Sequence, residues 1–445
     1  MVKGKALVRN HYLCVGYDCE NPCHQVCPVK ALSLRRNPDF ETMGDYRWSP
    51  DLLVSAWHMA EFGRPPEKGL EYRTGNSGGG FDKLRILFSN KLKDRVDCNS
   101  NGLEPDLAVE LNRREDNAHR IRIEVPFYGG GMSYGSVSIN TMLSRVKAAK
   151  ALGTFCCTGE GGYPDELKPY DEHVITQVAT GLFGVREETI QRVKIVEFKY
   201  AQGAKPGLGG HLLGDKVTPG VARMREAVVG YPLFSPFPFH SVYSVEDHKK
   251  HVDWIKAVNP RALVSVKVST PTDVDMVAVG SYYAGAHIIH LDGSYGGTGA
   301  APDIAKKNIA MPIEYAVPKV HRFLTEEGVR DKITVVASGG IRTPHDVVKI
   351  IALGADAVCT GTADLVALEC IRCHNCESGR GCARGIATTD PELMDLVGLE
   401  WGAQRIINMF MAWRSEMIRI LKKLSISSLK DLVGNTACIS HIDYS

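Results

Sequence analysis

Two short apolar strands that each run into glycine, followed at once by a tight group of cysteines, constrain this chain more than any other stretch. Ile333-Thr334-Val335-Val336-Ala337 is a β-branched run that ends in Ser338-Gly339-Gly340. A helical pattern from Asp346 to Leu353 separates it from a second run, Ala357-Val358-Cys359, which ends in Gly361-Thr362. Glycine lets backbone N–H groups approach an anion, and a helix start after the loop adds a favourable dipole. Paired loops after the last two strands are the usual phosphate grip of a (β/α)8 barrel. Cys370-x2-Cys373-x2-Cys376-x5-Cys382 follows. A metal or iron–sulfur centre would therefore stand behind a phosphate-bearing cofactor.

The chain has 445 residues, 44% apolar and 23% charged, enough for one large domain with appendages. A net charge of +2 with no basic run gives no support for nucleic-acid binding. No apolar stretch is long enough to span a membrane, and the start, Met1-Val2-Lys3-Gly4-Lys5, lacks an apolar signal core, which predicts a cytoplasmic protein. Eight of the thirteen cysteines fall in two clusters. In a reducing compartment such clusters read as metal ligands before disulfides. The first, Cys14-x4-Cys19-x3-Cys23-x3-Cys27-Pro28, suits an iron–sulfur cluster, then zinc, then free thiols.

Four segments are expected: a cysteine-rich piece over 1–45, a loop-rich or partly helical connector over 46–118, a barrel over 119–395 and a helical extension over 396–445. Eight β-type runs, 121–127, 153–158, 194–201, 232–236, 262–268, 286–292, 333–338 and 357–361, predict an α/β fold, a (β/α)8 TIM barrel. Ser138 to Ala151, Val245 to Val258 and Leu396 to Leu424 have helical spacing.

Barrel chemistry sits at the C-terminal ends of the strands, and those ends are polar or glycine-rich. They carry Gly131-Met132-Ser133, Thr158-Gly159-Glu160, Gln202-Gly203-Ala204-Lys205, Ser235 with His240, Lys267, and Asp292 through Gly299. Phosphate loops, a strand lysine and cysteines together suggest a flavin mononucleotide (FMN) barrel that exchanges electrons with iron–sulfur centres. Lys267 would stabilise negative charge on a reduced flavin ring, or else pair with a carboxylate at the barrel mouth. Glu160 would face substrate, or else cap backbone amides. Lys205, with Arg223 or Arg225, could bind a dicarboxylate. No G-x-G-x-x-G follows a strand in a βαβ setting, so a direct nicotinamide site is not expected.

Gly159-Glu160-Gly161-Gly162, Gln177-Val178-Ala179-Thr180-Gly181, Gln202 to Gly207, Asp292 to Pro302 and Gly385-Ile386-Ala387-Thr388 resemble the synthase domain of glutamate synthase. The resemblance runs from about Pro126 to Val433. It implies an FMN barrel that reduces 2-iminoglutarate, formed from 2-oxoglutarate and ammonia, to L-glutamate. It places Glu160 near the imine, with Gln202, Lys205 and Arg223 holding 2-oxoglutarate. It gives FMN contacts to Gly131, Met132, Ser133, Thr158, Gln177, Lys267, Asp292, Gly297, Thr298, Gly339, Gly340, Gly361 and Thr362. It also implies a [3Fe–4S] cluster on Cys382, Cys373 and either Cys370 or Cys376, while the four thiolates available make [4Fe–4S] possible; the spacing of Cys14, Cys19, Cys23 and Cys27 gives a second, [4Fe–4S] cluster as the expectation there.

The family's glutaminase domain and glycine-repeat β-helix are not in this sequence. Separate amidotransferase and β-helix subunits, and a ferredoxin-type or NAD(P)H-oxidising donor, are the expected partners. Two other readings share these motifs: an N-methylglutamate synthase subunit, and an FMN and iron–sulfur electron-transfer subunit.

Overall fold

A computed structural model describes residues 23–32, 42–66, 80–88, 104–235, 239–297, 301, 304–305, 309–377 and 380–444. Eight parallel strands close into a barrel: β1 (Phe127–Gly129), β2 (Cys156–Cys157), β3 (Val174–Ala179), β4 (Ile195–Lys199), β5 (Leu263–Ser269), β6 (Ile288–Asp292), β7 (Thr334–Ser338) and β8 (Ala357–Thr360). Closure is made by β8 against β1, in register Val358 with Phe127 and Thr360 with Gly129. From β3 to β8 every strand residue except Lys199 is buried. Runs apolar on both faces are what a helix-covered parallel sheet requires.

Two of the expected strands are corrected. Residues 232–236 supply no barrel strand. Leu233–Ser235 pairs antiparallel with Gly210–Leu212, a hairpin that stands outside the barrel. Phe234 is 61% exposed, and Pro232 before it has no N–H to give a ladder. The barrel's third strand is instead Val174–Ala179, a β-branched run entered from the 3-10 turns of Asp165–His173 rather than from a helix. The first strand begins at Phe127, later than expected. Arg122–Ile123 pairs with Val109–Glu110 instead, and Pro126 opens barrel pairing through its carbonyl, which accepts from Val358 N–H at 2.9 Å.

The helices form where their signals predict. Ile139–Ala151 is capped by the Ser138 hydroxyl, and Pro344–Ala352 by a Thr343–Asp346 capping box. The long helix Leu399–Leu424 packs against Ile139–Ala151 and against Pro50–Phe62. Gly402 makes the first crossing close, since a Cβ there would lie 2.5 Å from the Ser144 hydroxyl. Phe410 of the long helix stacks on Phe127 at the base of β1, and Trp413 meets the same ring edge-on. The connector is thus tied down: Arg405 pairs with Glu61 at 2.7 Å, and Leu84–Ile86 pairs with Ile439–His441. Among the described residues no helix is long and apolar enough to cross a membrane.

Candidate active site

The C-terminal ends of the strands, with the loops that leave them, surround a cavity of about 280 Å3. Its floor is a buried polar network inside the barrel. Glu197 on β4 accepts from Gln177 Nε2 at 2.7 Å and from Ser265 Oγ at 2.9 Å, and His290 Nδ1 lies 3.0 Å away. The other nitrogen of His290 is 2.8 Å from Ser338 Oγ, which donates to Asp292 Oδ1 at 2.6 Å. Asp292 also accepts from Gly203 N–H at 2.9 Å, and lies 3.6 Å from Lys267 Nζ. Five adjacent strands are therefore joined by side chains as well as backbone. Burial works against each charge here, but the charges offset one another. His290 and Lys267 bring Glu197 down to about 2. Asp292 and Glu197 hold Lys267 above the usual lysine value. Lys267 thus both lines the cavity and pairs with a carboxylate, Asp292, at the C-terminal end of the barrel.

One side of the cavity is cationic. Glu160, in the loop after β2, accepts from Lys199 Nζ at 2.9 Å. Lys205 and Arg225 line the same wall and are buried. Burial opposes the Glu160 charge, yet Lys199, Lys205 and Arg225 hold it below the usual carboxylate range. Burial brings Arg225 down to about 10, which still leaves it a cation at neutral pH. Arg225 is fixed by donating to Ser133 Oγ at 2.8 Å and to the Tyr134 carbonyl at 2.9 Å. Gly161 leaves room for it, since a Cβ there would lie 2.5 Å from Arg225 Nη2.

The other side is the pair of glycine loops. Gly339 and Gly340, at φ 95° and 92°, follow β7, and Gly361 with Thr362 follows β8. Those strands are hydrogen-bonded neighbours, so the loops meet. Gly131, Met132, Ser133, Gln177, Gln202 and Asp292 line the cavity as well, and so does Gly297, where a Cβ would approach Thr362 Oγ1 to 2.7 Å.

Two positions fall elsewhere. Arg223 is exposed on the helix Pro219–Arg225, and its neighbour Arg225 faces the cavity, because two residues of helix turn a side chain to another face. Thr158 is buried with its hydroxyl on the Gly159 carbonyl and is not part of the cavity wall. Thr298 lies outside the described residues, as do Cys14 and Cys19; Cys23 opens a single helical turn, Cys23–Val26, with Cys27 just after it.

Cys370 and Cys376 reach the cavity, Cys382 is half-buried and Cys373 is exposed. The four thiols are neighbours. Burial pushes Cys370 up to about 11, with Cys376 and Cys382 adding to it, and burial with Cys382 and Cys373 raises Cys376. Among the described residues, no three His, Cys, Asp or Glu side chains already stand in ligating positions. The loop is shaped by left-handed Arg372 and His374, at φ 60° and 62°. Asp45 of the connector staples it, at 2.8 Å from Arg372 Nη2 and 3.2 Å from His374 Nε2.

Sequence reasoning passed over Lys199, Glu197, His290 and Arg47. Period-2 alternation held the signal for the first two, because residues 197 and 199 share one face of β4. Arg47 lies in the connector, where no pattern pointed to the barrel.

Residues 81–427 match the family model described as the conserved region in glutamate synthase. An archaeal-type glutamate synthase (NADPH) of Thermotoga maritima is 39% identical over 432 residues, 93% of this chain and 84% of that one. An archaeal glutamate synthase (NADPH) of Methanocaldococcus jannaschii is 45% identical over 319 residues, 72% of this chain and 62% of that one. Among solved structures, the flavin-binding domain of baker's yeast flavocytochrome b2 superposes with a TM-score of 0.50 at 14% identity, covering 82% of this chain and 77% of that one, a likeness of fold. The chain belongs to the glutamate synthase family.

Proposed function

We propose that this protein is the synthase subunit of a glutamate synthase, an FMN-dependent oxidoreductase that reduces 2-iminoglutarate, formed from 2-oxoglutarate and ammonia, to L-glutamate. One observation carries the reading: a single cavity joins two glycine loops suited to a phosphate with a wall of three cations around one carboxylate. Lys199, Lys205 and Arg225 against Glu160 leave two positive charges unmatched, the complement of a dicarboxylate.

The residues present fit FMN. Adjacent glycine loops offer backbone N–H groups to a phosphate, and Lys267, kept protonated by Asp292 and Glu197, offers positive charge to the flavin ring. Bound there, FMN supplies the two-electron reduction of an imine carbon. The chain does the rest. Lys205 and Arg225 hold the two carboxylates, and Gln202 adds a hydrogen bond beside them. Glu160, kept ionised by Lys199, orients the imine nitrogen and accepts its N–H. The buried walls exclude water, which would hydrolyse an imine.

Iron–sulfur chemistry at Cys370, Cys373, Cys376 and Cys382 rests on their spacing and on the softness of four thiolates on one loop. Electrons then arrive from a ferredoxin-type or NAD(P)H-oxidising partner, and ammonia from a separate amidotransferase.

The test is anaerobic. Protein loaded with FMN and iron is given dithionite, 2-oxoglutarate and ammonia, and glutamate is measured. Absence of glutamate from a loaded sample rejects the reading. Exchange of labelled methylamine into glutamate without any reductant would replace it by the N-methylglutamate synthase reaction.

A further inference from the structure

Arg47 precedes the part of the chain that the family model matches, which begins at residue 81, yet it lines the same cavity. It is 8% exposed. Its guanidinium lies 4.4 Å above the centre of the Tyr295 ring, and one Nη is 3.5 Å from the Ser294 carbonyl. Its Nε has no hydrogen-bond partner. No carboxylate pairs with it among the described residues. The acid two positions earlier, Asp45, is committed to Arg372 at 2.8 Å and to the backbone N–H groups of Arg47 and Trp48 at 2.8 Å each.

A buried guanidinium without a counter-ion is unfavourable. Two other buried arginines are neutralised, Arg145 by Asp364 at 2.9 Å and Arg342 by Asp82 at 2.6 Å. Arg47, like Arg225 on the cationic wall, has no carboxylate within ion-pair distance among the described residues, but it stands at the glycine-loop end. Tyr295, which carries it, packs so closely on Gly340 that a Cβ there would lie 3.2 Å from Tyr295 Cβ. The Arg47 carbonyl accepts from Arg342 Nη1 at 3.0 Å, just beyond Gly340. The cations that suit a dicarboxylate belong to a separate group around Glu160. An arginine forks two N–H groups onto a phosphate, which makes a phosphate its natural missing anion.

We propose that Arg47 binds the phosphate of the flavin nucleotide, so that the connector and not only the barrel holds the cofactor. This rests on the FMN reading above. The turn 44–48 then has two contacts with the redox site: Asp45 grips the cysteine loop, and Arg47 closes the phosphate end.

The experiment compares FMN with riboflavin, which lacks the phosphate. Flavin-free full-length protein, as wild type, Arg47→Gln and Arg47→Lys, is titrated with each flavin by fluorescence quenching. Arg47→Gln weakens FMN binding about 10- to 100-fold and leaves riboflavin within about twofold. Arg47→Lys keeps the charge, loses the fork and falls between. Thermal melts check folding; if Arg47→Gln does not fold, Arg47→Lys carries the test through a smaller FMN-over-riboflavin preference. Equal loss of both flavins, or loss of neither, overturns the assignment and leaves the FMN reading standing. Wild-type protein that binds neither flavin overturns both.

Discussion

Glu160 keeps its charge through Lys199 and its place through a glycine. A Cβ on Gly210 would overlap Glu160 Oε1, and Gly210 is not left-handed, so its backbone tolerates alanine. Gly210→Ala should therefore displace the carboxylate without unfolding the chain. Turnover falls at least about tenfold while the melting temperature moves by a few degrees at most, readable by assay and calorimetry on one sample. Glu160→Gln leaves Lys199 unmatched and removes the acceptor, and should lower kcat by about 100-fold or more with flavin content unchanged.

Glu197 gives the pH dependence. Its folded value of about 2 lies below the ordinary 4.5. Its stabilisation is thus fully present above the ordinary value, and is lost as pH falls from there towards 2. The contribution is on the order of 3 kcal/mol. Glu197→Gln should be less stable than wild type at pH 7, and the gap should close as unfolding is repeated down to acid. A gap independent of pH would mean that the His290 and Lys267 contacts do not hold the charge.

The long helix Leu399–Leu424 crosses Ile139–Ala151 at Gly402, where Ser144 Oγ and Leu368 Cδ2 leave no room for a side chain. Gly402→Val should cost about 1–3 kcal/mol by overpacking, seen as a lower urea midpoint, whereas replacing exposed Met411 on the same helix should cost little. The cysteine loop is the second element with a clear test. Asp45→Asn loosens its bonds to Arg372 and His374 and should make bound iron easier to remove by chelator, with the far-ultraviolet dichroism unchanged. Iron retention identical to wild type would show that the loop holds its shape without the connector.

The connector helix and the long C-terminal helix are part of the barrel's packing. Trp413 and Met417 are fully buried, Phe127 stacks on Phe410, and the connector helix Pro50–Phe62 fills the groove beside them. A chain ended after residue 397 should lose near-ultraviolet dichroism and bind hydrophobic dyes, because the base of β1 and the outer face of Ile139–Ala151 would be bared. A soluble, cooperatively folding truncated barrel would contradict this.

Strand runs, helical spacing and glycine-ended strands are local, and so they were legible in the chain itself. Val245–Val258 and Pro344–Ala352 follow their helical patterns closely. The ring of strand ends was readable for the same reason, since a parallel barrel gathers all C-terminal ends at one mouth. Two things were not local. Residues 232–236 and 174–179 are both short apolar runs, and which of them enters the barrel is decided by closure: only the second can be buried on both faces. The charged wall was likewise settled by packing. Arg225 rather than Arg223 faces the cavity because of how one short helix is rotated, Lys199 because of its face on β4, and Arg47 because a connector far away in sequence folds back across the mouth. Sequence determined the framework and its glycine loops; the directions in which side chains converge depend on distant segments meeting, which no local pattern records.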